Sequence, residues 1–286
     1  HGGDNYVTLI DPNDLDTMYL EGMFGSMARR DLKTGKSRGI RPGPAPEGKK
    51  LRFNWMTPFI LSHYDSKTLY AGANMLFKSE NRGDSWKCIS PDLSDNMGPE
   101  RKGDVPFGTI TDISESALKK GLLYAGTDDG QLHVTKDDGA TWTKINKGLP
   151  NKWVSRVVAS KYDEGTVFVS FTGYREDDFE AYLYMSTDFG ETWKSIVNNM
   201  PSESINVIRE DPSDQDILYV GTELGAYCSI DKGKTWHSLC KTLPTCAVHD
   251  LALHTGTGDL VAGTHGRSAF VLHAKEIQKI KQEVAK

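Results

Sequence analysis

Four segments of this sequence repeat one pattern, and a motif that recurs every few tens of residues commits a chain to a repeat architecture before any strand is assigned. Residues 79–86, 135–142, 186–193 and 229–236 all read Ser/Thr-x-Asp/Asn-x-Gly-x-Ser/Thr-Trp. Each position has a task in a tight link between two antiparallel strands. Asn81, Asp137, Asp188 and Asp231 present a side-chain oxygen to the backbone N–H groups of their own turn. Gly83, Gly139, Gly190 and Gly233 suit a backbone with φ above zero. Ser85, Thr141, Thr192 and Thr235 bond back across the turn, and Trp86, Trp142, Trp193 and Trp236 return the chain to its sheet with a large apolar surface to bury. These residues are read as staples of a hairpin rather than as a site.

An inner-strand signature precedes each box, at 69–72, 123–126, 167–170 and 218–221, and recurs at 260–263 and, more weakly, at 18–21. Turn-forming clusters at 11–14, 64–67, 162–165 and 211–214 come before it, and apolar runs come before those. Every unit therefore reads strand, turn, strand, loop, strand, box, strand, over roughly 40 to 50 residues, the size of a four-stranded propeller blade. The sequence thus predicts an all-β fold, a β-propeller of four-stranded antiparallel blades with Asp-box hairpins, as one domain over 1–273. Units fall near 5–45, 55–93, 107–150, 153–201, 205–245 and 246–273; the last lacks its fourth strand and its box, and the first has no Trp in the corresponding turn at 34–37. Open edges and apolar faces are costly, so this count fits a six-bladed ring with an incomplete last blade or part of a larger ring, giving six or seven blades. In the tail, 274–286, Ile277, Ile280 and Val284 recur at helical spacing among lysines, which predicts a short C-terminal helix.

Composition narrows the partners. With 34 Lys and Arg against 39 Asp and Glu, the chain carries a formal charge of -5, which argues against nucleic acid because phosphate binding needs concentrated basic side chains. No run of about 18 apolar residues occurs, so no membrane span is predicted. Four cysteines, Cys88, Cys228, Cys240 and Cys246, read as small buried hydrophobes, with a Cys228–Cys240 disulfide across one hairpin as the alternative. No Cys/His spacing fits a metal, and the glycine-rich stretch 221–225 leads into no helix, so neither metal nor cofactor is expected. The chain opens at His1 without a signal-like segment, which reads as a mature fragment of a longer parent.

Boxes of this kind on propeller blades resemble the BNR repeats of sialidases, xyloglucanases and sortilin (VPS10)-type receptors. The segments 53–58, 173–179, 208–212, 221–225 and 263–268 are similar to those of large bacterial BNR-repeat proteins carrying sortilin-like or glycosyl-hydrolase labels. The resemblance implies a secreted, periplasmic or cell-surface home. The Arg-Ile-Pro motif typical of sialidases is absent here, and xyloglucanases, by the same resemblance, set two acids across a cleft between two propellers.

The remaining polar residues supply the candidate site. Tyr174, Arg175, Asp177 and Asp178 form a polar loop interrupting one blade, and long polar loops on rigid scaffolds often carry function. Arg156, Arg209, His249 and Asp250 stand in or beside predicted innermost strands, where a charged side chain needs a partner or water. Glu223, His265 and Arg267 occupy corresponding turns of successive blades, as does Asp128. Trp55 reads as a core aromatic. The expected function is non-catalytic binding of a peptide, protein or glycan through Arg156, Tyr174, Arg175, Asp177, Glu223, His249, Asp250, His265 and Arg267. The rival is a glycoside hydrolase drawing its acids from Asp177, Asp178, Glu210 or Glu223; a third reading is an assembly factor or scaffold.

Overall fold

The computed structural model describes residues 4–95, 106–240 and 243–284. Strands of the described residues form six antiparallel sheets. The first holds β1 (Asn5–Asp11), β2 (Asp14–Gly22), β3 (Met27–Asp31) and β4 (Ser37–Gly39), and the second β5 (Phe59–Leu61), β6 (Leu69–Gly72), β7 (Leu76–Ser79) and β8 (Lys87–Cys88). The third holds β9 (Ile110–Glu115), β10 (Leu123–Thr127), β11 (Leu132–Thr135) and β12 (Thr143–Lys144), and the fourth β13 (Trp153–Ala159), β14 (Val167–Gly173), β15 (Asp178–Ser186) and β16 (Lys194–Ser195). The fifth holds β17 (Ile205–Glu210), β18 (Leu218–Thr222), β19 (Ala226–Ser229) and β20 (His237–Ser238), while the sixth has only β21 (Val248–His254), β22 (Asp259–Thr264) and β23 (Ala269–His273), followed by helix α1 (Ala274–Val284). These sheets are the blades of a β-propeller, and among the described residues the sixth has no fourth strand, as the repeat predicts. The chain divides into two compact units, up to Val154 and from Ser155 onward.

The second strand of each blade explains the apolar signature. β6, β10 and β18 are buried along their whole length, as expected of a short continuous apolar run covered on both faces. In the second unit Phe168, Leu183, Ile205, Ile208, Leu218, Val220 and Trp236 share one core cluster.

The boxes share one geometry. Asp188 accepts the Thr192 N–H at 2.9 Å and the Thr192 hydroxyl at 2.6 Å, while the Ser186 hydroxyl receives the Gly190 N–H at 2.8 Å. Asp137 and Asp231 repeat this pattern. Asn81 keeps it with one bond reversed, its amide donating to Ser85 Oγ at 2.9 Å. The Ser186 hydroxyl, donating to Asp188 at 2.6 Å, and then the two Thr192 bonds hold the Asp188 carboxyl at about 2, well below the usual carboxylate range. Gly83, Gly139, Gly190 and Gly233 have φ between 82° and 90°, so any side chain there would be strained.

The tryptophans do more than close their own hairpins. Trp86 Nε1 donates to the Ile40 carbonyl at 2.9 Å, Trp142 Nε1 to Ile89 at 2.8 Å and Trp236 Nε1 to Ile196 at 2.7 Å. In each case the acceptor directly follows the fourth strand of the preceding blade. The same isoleucines press on the box glycines: a Cβ at Gly83 would lie 2.8 Å from Ile40 Cβ, and one at Gly233 3.0 Å from Ile196 Cβ. Box and tryptophan together staple one blade to the one before.

A carboxylate latch also recurs. Glu115 accepts the Ser62 hydroxyl at 2.9 Å and the His63 N–H at 2.6 Å; Glu210 accepts the Ser160 hydroxyl at 2.7 Å and the Lys161 N–H at 2.9 Å. Each glutamate ends the first strand of its blade and grips the first-strand end of the blade before.

One alternative drops out and one expectation changes. The Cys228–Cys240 pairing does not form: Cys228 lies buried opposite His237, the Cys240 sulfur accepts the Ala226 N–H at 3.3 Å, and all four cysteines are thiols. The helical tail forms, but Ala274 and Ile277 are buried while Ile280 is exposed. Beyond that first turn the helix turns polar groups inward, Gln278 donating to Asp211 at 3.1 Å and Lys281 to Asp214 at 2.6 Å.

Candidate functional site

Within the second unit, polar side chains gather where first strands meet the turns that follow second strands. β21 shows how the backbone aims them. Val248 and Leu251 are buried, and a register shift between Val248 and Asp250 leaves both His249 and Asp250 exposed, although alternation alone would turn one of them inward. The same irregularity sits between Ile205 and Val207, around Asn206.

Asp250 is the electrostatic hub. Its Oδ1 lies 2.7 Å from Arg209 Nη2 and 3.5 Å from Arg156 Nη2, and it also accepts the Leu251 N–H at 2.9 Å. Arg209 is fixed further by donating from Nε to the Leu251 carbonyl at 2.9 Å. Beside this ion cluster the rings of His249 and His265 lie 5.4 Å apart at a tilt of 38°. Although the residue is exposed at the surface, desolvation by the groups crowded around it depresses the pKa of His249, helped by the positive fields of His265, Arg175 and Arg156 and opposed by Glu223. Glu223 is positioned in turn by Asn206, whose Nδ2 donates to it at 3.0 Å and to the Val248 carbonyl at 3.4 Å.

The polar loop becomes a 3-10 turn over Tyr174–Glu176, ended by Asp177 in the left-handed region at φ 55°. Tyr174 and Phe179 stack edge to face at 5.9 Å, and both are about half exposed, 52% and 51%. Arginine, histidine and carboxylate groups thus stand in one unit with an exposed aromatic pair, a mixture that suits recognition of a polar chain bearing apolar groups.

Of the predicted residues, Arg156, Arg175, Glu223, His249, Asp250 and His265 come together around His249. Arg267 is exposed in the β22–β23 turn beside His265. Sequence reasoning left Asn206, Phe179 and the exposed Leu224 out of the site; the repeated bulge that aims Asn206 appears only once β17 and β21 are compared in register. The acids proposed for catalysis are differently placed. Glu210 is buried in the latch, and burial raises its pKa. Asp178 accepts the Tyr182 hydroxyl at 2.9 Å and the Glu180 N–H at 3.0 Å. In the first unit Asp128 does not project from its turn: it is buried, accepts the N–H groups of Gly108 and Thr109, and is pushed up to about 6 by burial. Trp55 is half-buried, edge-on to Phe24 at 5.1 Å, with its indole N–H on the Tyr6 hydroxyl.

Against known proteins, the family described as sortilin, neurotensin receptor 3 (Sortilin-Vps10) matches residues 130–255. A GH74 xyloglucanase from Xanthomonas campestris superposes with a TM-score of 0.67 at 18% identity, over 93% of this chain and 44% of that one. The chain is a β-propeller that resembles the sortilin family over residues 130–255. An uncharacterised membrane glycoprotein of Saccharomyces cerevisiae is 30% identical to it over 127 residues, and the xyloglucanase Xgh74A of Acetivibrio thermocellus 28% identical over 132 residues. Each alignment takes in 41% of this chain, which spans only 10% and 16% of those two relatives. The solved structure described as YCF48 bound to D1 peptide superposes with a TM-score of 0.56 at 17% identity, over 94% of this chain and 81% of that one. No helix among the described residues is long and apolar enough to cross a membrane.

Proposed function

We propose that the sortilin-like propeller is a non-catalytic, extracytoplasmic binding module, part of a longer protein, that takes a polypeptide ligand at the cluster around His249. The observation that carries this reading is the paired-charge arrangement of Arg156, Arg209 and Asp250 beside the His249–His265 pair, in the same unit as the exposed Tyr174–Phe179 pair. Fixed ion pairs with open edges and half-exposed aromatics are what a binding surface uses for orientation and for affinity. The match to a family described as a receptor, and the likeness to a propeller solved with a peptide, support a polypeptide over a polysaccharide.

The xyloglucanase relatives favour the rival reading of a glycoside hydrolase. That chemistry needs two carboxyl groups roughly 5 to 10 Å apart, one of them in the acid form. The test is a peptide and glycan array on the purified chain, run with a hydrolysis screen against polysaccharides. Binding without turnover, weakened about tenfold or more by His249→Ala or Arg156→Ala, is the expected result. Turnover abolished by Glu223→Gln or Asp177→Asn overturns it.

A further inference from the structure

The first unit holds a charged groove that the blade repeat does not require. It lies between β3 and β4 of the first blade and the box at 79–86 of the second, an open cleft of about 800 Å³, within the size range of ligand sites. Arg29, Lys36, Arg38, Lys67 and Arg82 line it, in a chain whose formal charge is -5. Arg82 directly follows the Asn or Asp position of its box; the other three boxes have Asp138, Phe189 and Lys232 there, so the turn itself does not call for a cation. The same box alone carries an amide, Asn81, where its three counterparts carry an aspartate, and Asn81 also lines the groove. One acidic charge is thereby missing where basic side chains gather.

Carboxylates hold the arginines in place without neutralising the groove. Arg29 Nη2 and Arg38 Nη1 lie 3.2 and 3.0 Å from the same Asp84 oxygen, Oδ1, so two guanidinium groups share one carboxylate. Arg29 Nη1 also donates to the Arg82 carbonyl at 2.9 Å, and Arg82 pairs with Asp11 at 3.1 Å and Asp14 at 3.2 Å. Arg38 keeps 61% of its side chain exposed. Lys36 and Lys67 are exposed and form no ion pair among the described residues. Five cations thus stand against the lining acids Asp14, Asp31 and Asp84, and an excess remains even with the buried Asp11 counted behind Arg82. A concave site of one prevailing sign focuses its field on the space it encloses.

We infer that this groove binds an acidic glycan, a chain of hydroxyl-bearing rings that carries carboxylate or sulfate groups. Lys36, Arg38 and Lys67 take the anionic groups, the arginine through paired N–H bonds to an oxyanion. The acids of the groove decide against a denser polyanion: Asp31 and Asp84 repel the phosphates of a nucleic acid, which follow one another every ~1.7 Å of duplex. Between more widely spaced charges the same carboxylates accept hydrogen bonds from ring hydroxyls, and Ser37 and Asn81 add neutral donors and acceptors. No aromatic side chain lines the groove among the described residues, so charge and hydrogen bonding, not apolar contact, select the ligand. No first-strand residue lines it either, and it shares no residue with the His249 cluster of the second unit.

The probes are a tetragalacturonide, a heparin tetrasaccharide, neutral maltotetraose and a short DNA duplex, each titrated into the full 15N-labelled chain. At least one acidic glycan is expected to bind and to shift the amides of residues 36–38, 67 and 81–84, while maltotetraose leaves them unmoved. Binding of the tetragalacturonide identifies carboxylate as the recognised group, and binding of the heparin fragment alone identifies sulfate. Asn81→Asp gives this box the aspartate that the other three carry, so the turn should keep its fold while the affinity falls about threefold. Lys36→Glu combined with Lys67→Glu should weaken binding about tenfold or more. Failure of both acidic glycans to bind at millimolar concentration overturns the inference, as does an affinity that survives these changes. Equal affinity for maltotetraose or DNA also overturns it, and so do shifts confined to Lys194, Lys232 and Lys234, which line a cleft of about 110 Å³ in the second unit. The readout does not involve His249, so its failure and that of the binding reading are separable.

Discussion

Glu21 breaks the repeat at a buried position. By register it pairs with Met27, as Gly72 pairs with Leu76, Gly126 with Leu132 and Gly221 with Ala226. Glycine suits the place because the next blade presses in: a Cβ at Gly126 would overlap Val154 Cγ1, and one at Gly221 would lie 2.7 Å from Val248 Cγ1. In the first blade the neighbour is instead the Thr57 N–H, which donates to Glu21 Oε1 at 3.1 Å, while Oε2 is buried with no hydrogen-bond partner among the described residues. Burial pushes the Glu21 carboxyl up to about 8. A raised acid binds a proton in the folded state that the unfolded chain has already released, so its contribution weakens stability as pH rises from the ordinary glutamate range through about 8. Urea midpoints of the wild type should fall between pH 5 and pH 8.5. Glu21→Gln should lack that part of the loss and gain about 2–4 kcal/mol relative to wild type at the upper pH. Equal gains at both pH values would refute the assignment. The departure was visible as an irregular member of the inner-strand signature; that the odd residue is buried, and what it faces, depends on the neighbouring blade.

The boxes were legible because each is a local turn whose bonds close within four residues. The tryptophan partner was not, because the Ile196 carbonyl lies 40 positions before Trp236 and a backbone acceptor has no sequence signature. Trp236→Phe keeps most of the ring volume but strands that carbonyl, and should cost about 1 kcal/mol. Trp236→Ala also opens a cavity in the core and should cost about 3–5 kcal/mol by denaturant midpoint. Near-equal losses would mean that the indole N–H contributes most of the effect. The tail helix was legible from its periodicity, yet its contacts are mixed. Ile277→Asp should destabilise by about 2 kcal/mol or more through burial of a charge, whereas Lys281→Ala should cost less than about 1 kcal/mol because its ion pairs are partly solvated. The site was half legible: a histidine and an aspartate on an otherwise apolar strand announce themselves, but the bulge that turns both outward leaves no compositional mark.

For the chain as a whole, the fold class followed from the number and order of the units, and the function did not, because blade geometry is shared by receptors and hydrolases alike. The extracytoplasmic home proposed for it is not accompanied by cross-links: the four thiols are free, and burial pushes Cys228 up to about 11. Denaturation midpoints should therefore be the same with and without reductant, and thiol titration of the unfolded chain should find all four groups. A reductant-dependent midpoint would contradict this.

The tryptophan bond has a direction: its donor sits in a later blade and its acceptor in the one before. During synthesis a blade emerging from the ribosome is thus clamped only when its successor has followed it out, since translation proceeds from the N-terminus. The fifth-blade residue in the corresponding place is Leu239, directly after β20, and residues 246–273 carry no box. Helix α1 meets this blade elsewhere: Ile277 shares a core cluster with Cys228, while Gln278 and Lys281 reach Asp211 and Asp214 in the β17–β18 turn. Helix α1 thus braces the fifth blade from a later stretch of chain, as each of those tryptophans braces the blade before its own.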